Sequence, residues 1–228
     1  MHLTTRIALV AACVLAGGAS HAADPLNNNP PNPRPPGMQA PSAPVGTISP
    51  VFHQLVVFTM PAHFMPVFEK TNGSFYIREH IPQGETVDHW TRMITLTGMK
   101  DLVSNPQISA RALVERIAAG FRRNCPDSYA TTALGPQSVD GNDGFAVVAS
   151  CGRVLSGSDT HSETAVMLAF RGSADYYTIQ WAERGVGSAQ PLTLDTAYWA
   201  KRLTQLAPIR LCPLVPGEPP PYVSCVGQ

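Results

Sequence analysis

The sequence has little charge and no excess of either sign. Its 228 residues include 16 Lys+Arg and 16 Asp+Glu, so the formal net charge is zero and only 14% of the residues are charged. A chain with this balance lacks the basic surface that nucleic acids or anionic membranes attract, and we expect neither as a partner. Aromatic residues are few, at 7%, but hydrophobic residues reach 44%, which is enough to build a core.

The sequence also lacks a hydrophobic run long enough to cross a membrane, which takes about 20 apolar residues. Its strongest run, Ile7 to Leu15, is short and follows Arg6. The segment Ser20-His21-Ala22 then has the small-x-small form of a cleavage site. We therefore predict that residues 1–22 are a signal peptide, cleaved near Ala22, and that the protein is periplasmic or secreted.

Cysteine is scarce, with five residues, and one of them, Cys13, lies inside the signal region. The segment before it is similar to a bacterial lipobox, which leaves open a second interpretation with a lipid anchor at Cys13. Four cysteines remain after cleavage, and an even number in an exported protein predicts two disulfides. Among three pairings we favour Cys125 with Cys151 and Cys212 with Cys225. No cysteine spacing typical of a metal site is present.

Composition divides the chain into four parts. After the signal peptide, residues 23–50 are rich in proline and asparagine, with nine prolines between positions 24 and 50, and should form an extended, disordered linker. Residues 51–212 should form a single domain. Residues 213–228 are a second proline-rich segment, which we expect the Cys212–Cys225 disulfide to hold against the domain.

Within the domain, strand patterns come in runs, and two helical patterns interrupt them. One helix should follow Pro106 with Ser109 as its N-cap, and the other should begin at Asp195 and end before Pro208. Runs of strands, without strict alternation with helices, predict an α+β fold with a mainly antiparallel sheet. We expect the two helices to cover its two faces, as an αβα sandwich stapled by disulfides. The predicted strands lie at 74–80, 92–97, 129–134, 145–151, 163–170 and 176–183. Two short apolar runs at 54–59 and 64–68 are broken by Pro61 and Pro66, and the sequence leaves open whether they pair as strands.

Sequence motifs for catalysis or cofactor binding are missing. There is no G-x-S-x-G string for a nucleophilic serine and no glycine-rich phosphate loop. We therefore assign no catalytic, cofactor-binding or metal-binding residue. One alternative remains, an envelope hydrolase with a metal site built from His80, Glu85, His89 and His161, although their spacing matches no helical ligand pair.

One segment, Ile77 to Met93, carries a family resemblance. In it a strand ends in Pro82-Gln83-Gly84, and a turn bearing Trp90 leads directly into the next strand. Together with the later antiparallel strands and the closing helix at 195–207, this passage resembles exported PsbP/Mog1-like α/β/α sandwich domains. The resemblance implies a non-enzymatic accessory, assembly or ligand-binding protein, and it assigns no role to individual residues.

These observations lead to one main functional hypothesis, an exported binding or accessory module for an envelope protein or a small ligand. Its candidate interface is the surface formed by Glu85, His89, Trp90 and Arg153. The metal-dependent hydrolase is one alternative. A structural subunit of a secretion or surface apparatus is another.

Overall fold

The computed structural model describes residues 43–156 and 159–226. The predicted signal peptide, the Cys13 lipid anchor and most of the predicted linker lie outside these residues. Within the described ranges, no helix has both the length and the apolar character that a membrane span requires.

The described chain forms two antiparallel sheets. A seven-stranded sheet has the order β3-β4-β5-β9-β8-β7-β6, and a three-stranded sheet has the order β1-β2-β10. The strands are β1 (Val45–Val51), β2 (Gln54–Met60), β3 (Phe64–Asn72), β4 (Phe75–Pro82), β5 (Arg92–Met99), β6 (Tyr129–Val139), β7 (Asn142–Ser156), β8 (Asp159–Arg171), β9 (Tyr176–Val186) and β10 (Arg210–Pro213). The helices are α1 (Ala110–Asn124), α2 (Thr196–Thr204) and α3 (Val223–Val226).

The large sheet is covered on both faces. The helix α1 packs on one face, which we call the α1 face, and α2 packs on the other, the α2 face, together with the small sheet. The predicted α+β class, with a mainly antiparallel sheet and a helix on each side, is therefore confirmed. The small sheet is an additional layer that the sequence did not predict.

The sequence of α1 explains its position. Ser109 caps the helix, since its hydroxyl accepts a hydrogen bond from the Ala112 amide at 3.1 Å. The side chains of Leu113, Val114, Ile117 and Phe121 recur at helical spacing, and all are buried. Burying side chains of this size contributes about 1.5 to 3 kcal/mol each, which is what holds α1 on the sheet.

On the α2 face, strand β9 supplies the centre of the core. Tyr177, Ile179 and Trp181 alternate along the strand and are at most 1% exposed. Phe58 from β2 is fully buried in the same cluster. Tyr176 points to the opposite face, where its hydroxyl donates to the Ile108 carbonyl at 3.1 Å. Because successive side chains of β9 point to opposite faces, this one strand contributes to the core on both sides of the large sheet.

The small sheet shifts both expected domain boundaries. Strand β1 begins at Val45 and pairs with β2 along its whole length, so residues 45–50 belong to the sheet and not to a linker. Strand β10 runs through Pro213, where the sequence placed the start of the tail. Prolines are tolerated here because edge strands leave one side of the backbone unpaired.

Both predicted disulfides are present. Cys125 at the end of α1 is bonded to Cys151 on β7, and Cys212 on β10 is bonded to Cys225 in α3, each with a Cα–Cα distance of 5.7 Å. All four cysteines are buried. The second disulfide holds the C-terminal segment against the outer side of β2.

Candidate functional site

A groove between α2 and β6 is the best candidate for a binding site. It has a volume of about 660 Å³ and lies on the α2 face, beside the edge strand of the large sheet. Cavities that bind small molecules or peptide side chains commonly have volumes of this order. Its lining consists of Ala133, Leu134, Gln137, Ser138, Val139, Leu168, Thr196, Ala197, Ala200, Leu203, Thr204, Ala207 and Ile209.

Small side chains and an irregular strand create this groove. Helix α2 contributes Ala197 and Ala200, which are too short to fill the space between the helix and β6. Strand β6 has a bulge between Ala133 and Gly135, and Pro136 follows, so its backbone departs from regular pairing there. The lining contains no charged side chain and combines apolar with uncharged polar groups, which makes the groove suited to an uncharged ligand.

Helix α2 is fixed in place by its N-cap and by one carboxylate. The Asp195 side chain accepts hydrogen bonds from the backbone amides of Ala197 and Tyr198 at 2.9 and 3.0 Å. Glu183 at the end of β9 accepts a hydrogen bond from the Tyr198 hydroxyl at 2.7 Å and forms an ion pair with Arg202, also at 2.7 Å. These contacts tie one wall of the groove to the large sheet.

The predicted interface residues do not form one surface. Trp90 is only 4% exposed, and the Arg184 guanidinium lies 3.9 Å from the centre of its ring. The structure therefore places Trp90 in the core, in contrast to the expectation that it contacts a partner. Glu85 accepts hydrogen bonds from the amide and the hydroxyl of Thr91, at 2.7 and 2.6 Å, and so closes its own loop.

The other two interface candidates are exposed but lie apart. His89 is exposed in the loop before β5, and Arg153 is exposed on β7. Strands β9 and β8 lie between β5 and β7, which puts these regions about 14 Å apart at usual strand spacings. The structure therefore does not join them into the single interface that the sequence analysis considered.

The alternative metal site is not assembled either. His80 lies on the α2 face, where its ring packs edge-on against Phe58 at 6.2 Å. His161 lies on β8, where the register places it on the α1 face with Glu163. The sheet therefore separates the two histidines that this hypothesis requires in one site. Burial lowers the pKa of His80 to about 4, so the ring is neutral at neutral pH.

A second cluster has metal-ligand chemistry but a structural explanation. Among the described residues, His53, Asp101 and Asp175 bring three potential ligand atoms within 4.8 Å of one another. The buried Asp175 carboxylate accepts hydrogen bonds from the amides of His53 and Asp101, at 3.1 and 2.8 Å, and from the Tyr177 hydroxyl at 3.1 Å. These bonds use both of its oxygens to hold three chain segments together.

Sequence reasoning identified none of the groove residues. Two alanines, two threonines and a leucine on a short amphipathic helix give no chemical signal, because the same residues are typical of ordinary helix packing. The pattern that could have drawn attention is the pair Ala197 and Ala200 beside Leu203, which gives α2 a shallow face. Helix α2 and β6 are far apart in the sequence, so the groove between them forms only when the chain is folded.

Two comparisons with known proteins found no match. No protein-family model matches the chain, and no curated protein is similar enough to be matched.

Solved structures give a weak similarity. The crystal structure of the Saccharomyces cerevisiae Ran-binding protein Mog1p has 12% sequence identity and a TM-score of 0.38, over 70% of this chain and 84% of that one. The solution structure of cyanobacterial PsbP (CyanoP) from Synechocystis sp. PCC 6803 has 10% identity and a TM-score of 0.36, over 58% and 75%. The predicted pattern-level resemblance is confirmed, and at these values it transfers neither residues nor function.

Proposed function

We propose that this protein is an exported, non-enzymatic binding module that holds an uncharged apolar segment of an envelope protein in the groove between α2 and β6. The observation that carries the proposal is the groove itself, about 660 Å³ with no charged residue in its lining. Its walls are α2 and the edge strand β6.

The partner's chemistry is inferred from the lining. Leu134, Leu203 and Ile209 offer apolar surface, and Gln137 and Thr204 offer uncharged polar groups. A charged segment would lose its hydration there without gaining a partner, which is costly. Apolar side chains from an extended segment would gain about 25 cal/mol for each Å² removed from water.

Export is supported by the signal-like residues 1–22 and by cysteine use. The four cysteines outside that segment are all paired in disulfides, which persist in oxidising compartments and are rare in the cytosol. These features support the proposed periplasmic or secreted location, where an envelope protein is the partner that we propose.

A photo-crosslinking experiment tests the proposal. The photoreactive amino acid p-benzoylphenylalanine is placed at Ala200 in the groove or at Ala112, an exposed alanine on α1, and each protein is incubated with the envelope fraction. We expect crosslinks from position 200 to one uncharged apolar peptide of one protein, and no such crosslinks from position 112.

Matched substitutions then measure the contribution of the groove. Ala200→Glu places a charge in the lining and should reduce capture of the crosslinked protein at least tenfold, while Ala112→Glu leaves capture unchanged. Ala197→Glu serves if the first variant is unstable. Equal capture by the groove variants and the wild type, or crosslinks from both positions, would contradict the proposal.

A further inference from the structure

The described part of the chain begins close to one end of the groove. Gly46 on β1 lies opposite Thr59 on β2, and paired Cα atoms in antiparallel strands are about 5 Å apart. The Thr59 hydroxyl donates to the Ala207 carbonyl at 2.6 Å, and Ala207 belongs to the groove lining. Two such steps place the start of β1 about 10 Å from the groove.

The groove runs along the whole of α2. Its lining on this side consists of residues at helical spacing, namely Thr196, Ala197, Ala200, Leu203, Thr204 and Ala207. The helix has nine residues, which span about 14 Å. An occupant that starts beside Gly46 and reaches the first turn of α2 must therefore cover about 25 Å.

The segment just before the described residues has the composition that this lining requires. Residues 35–42 include three prolines and Met38 but no charged side chain. Asp24 and Arg34 are the only charged residues between positions 23 and 42. Residues 35–42 can therefore enter the uncharged groove without the cost of dehydrating an ion.

The length of this segment also matches the groove. Extended proline-rich chains advance about 3.1 Å per residue, so the eight residues 35–42 cover about 25 Å. They can reach from Ala207 to Thr196, which places Arg34 beyond the uncharged lining. Because proline fixes one backbone dihedral, such a segment loses less conformational freedom on binding than an ordinary chain does.

The lining favours contacts through side chains over the addition of a strand. Strand β6 is at the edge of the large sheet, but Pro136 and a bulge interrupt it. The prolines of residues 35–42 also lack the amide that a strand ladder needs. Their rings can pack on Leu134 and Leu203, while the Gln137 side chain can donate to the carbonyls that no ladder uses.

We propose that residues 35–42 dock in the groove of their own chain and compete there with the envelope partner. Covalent linkage makes weak docking effective, since a short tether gives an effective concentration in the millimolar range. A dissociation constant of about 1 mM is then enough to fill the groove about half of the time. Only the competition rests on the proposed function, because the docking follows from the lining, length and position of the groove.

Photo-crosslinking within the chain tests the docking without any partner. Protein carrying p-benzoylphenylalanine at Ala200 is purified, irradiated and digested, and the crosslinked peptides are identified by mass spectrometry. We expect crosslinks from position 200 to residues 35–42, and none to them from Ala112 on α1. A mixture of unlabelled and isotope-labelled protein shows whether the two crosslinked peptides come from one chain.

Two substitutions in the segment make the test specific. Both precede the described residues, so neither alters the packing of the fold. Met38→Glu places a charge within residues 35–42 and should reduce the crosslink yield at least threefold. Leu26→Glu adds the same charge outside this stretch and should leave the yield unchanged.

Capture from the envelope fraction separates this inference from the proposed function. At limiting partner, Met38→Glu should capture at least threefold more of the protein that crosslinks to position 200, because its groove lacks the competitor. Equal capture by Met38→Glu and the wild type would overturn the competition. Crosslinks within one chain without any captured protein would support the docking and contradict only the proposed function.

Three results would overturn the docking, whatever the capture assay shows. They are the absence of crosslinks from position 200 to residues 35–42, crosslinks only between different chains, and equal yields for Met38→Glu and the wild type. Crosslinks between chains would mean that a second copy fills the groove.

Discussion

Single ionisable residues on the two faces of the large sheet respond to pH in opposite directions. Glu79 and Glu163 on the α1 face are favoured in their protonated, neutral forms. His80 on the α2 face is fully buried beneath Phe58, and there burial favours the neutral, deprotonated ring. Lowering the pH therefore favours the folded state through Glu79 and Glu163 and disfavours it through His80. The two contributions partly cancel in the pH dependence of the unfolding free energy of the whole protein.

Comparison of variants separates the two effects. The pKa of His80 is about 4 in the folded protein and near 6.5 in an unfolded chain, so its contribution is complete above pH 6.5 and is lost as the pH falls through 4. We expect the free energy of unfolding of His80→Leu, relative to the wild type, to rise by about 3 kcal/mol between pH 7 and pH 4.

Urea denaturation at several pH values measures this difference. The variant His89→Gln, at an exposed histidine, is the control and should show no such trend. A constant difference between His80→Leu and the wild type over this range would mean that His80 is not neutralised by burial.

For a single residue, the sequence gives the chemistry of the side chain but not the contacts that it makes in the folded protein. Trp90 follows an exposed turn and was expected at an interface, yet Arg184, 94 positions later, covers its ring. Nothing near Trp90 in the sequence indicates that contact. The disulfide pairs were predictable because only four cysteines remain once the signal region is set aside, and chain proximity favours one pairing.

At the scale of elements, the position of α2 depends on Glu183. This carboxylate receives the Trp181 indole N–H at 2.9 Å, the Tyr198 hydroxyl at 2.7 Å and the Arg202 guanidinium at 2.7 Å. The helix has only nine residues and one buried side chain, Trp199, so packing alone fixes it weakly.

Removing the charge of Glu183 should loosen α2. Glu183→Gln weakens an ion pair whose side chains are about one-fifth exposed, and we expect a loss of about 1 kcal/mol in unfolding free energy. Amides of α2 should exchange faster, and the groove should bind its partner less tightly. Thermal denaturation and hydrogen exchange measure the first two effects.

An equivalent pair on α1 provides the control for this change. Arg111 and Glu115 are 2.8 Å apart within one helix, and both are largely exposed, so Glu115→Gln should cost less than about 0.5 kcal/mol. If the two variants lose equal stability and α2 exchanges as in the wild type, Glu183 does not anchor the helix.

Periodicity and caps made most elements predictable. Helix α1 was predicted from Ser109 and its apolar stripe, and α2 from Asp195 and the stop at Pro208, because these signals are local. Strands β1 and β10 were missed. Strand β1 lies in a proline-rich stretch whose composition is typical of a linker, and β10 has only four residues. Both are edge strands. Strand β1 forms a hairpin with the adjacent β2, whereas β10 pairs with β2 from about 150 residues later in the chain.

At the scale of the whole molecule, the sheet edges are protected. Each of the four edge strands in the described chain contains a proline, and in β3 and β6 the proline accompanies a bulge. Such edges resist pairing with a second sheet, because a proline lacks the amide that the ladder needs. The prolines are Pro50, Pro66, Pro136 and Pro213.

The proposed export makes a prediction for the intact mass. Protein purified from its own envelope fraction, under non-reducing conditions, should have the mass of residues 23–228 less four hydrogen atoms. Intact-mass spectrometry before and after reduction measures it. A mass that begins at Cys13 with acyl chains would show a lipid anchor, and a mass that includes residues 1–22 would contradict cleavage.

The groove marks the limit of sequence reasoning for this molecule. Its walls come from residues 133–139 and 196–209, which are brought together only when the large sheet and α2 are in place. The fold class was accessible because each element carries a local pattern, whereas an empty space between two elements has no pattern of its own.

The pairing in the small sheet also determines which end of the chain is suited to a fusion partner or a tag. Val45 lies opposite Met60, next to the Thr59 hydroxyl that donates to the Ala207 carbonyl on the groove lining. Cys212 lies near the other end of β2, about 17 Å away. A fusion partner attached before Val45 would crowd the groove. Immobilisation through the C-terminal segment, which the disulfide holds at the far end, would leave it facing solution, so the choice of tag determines whether binding is observed.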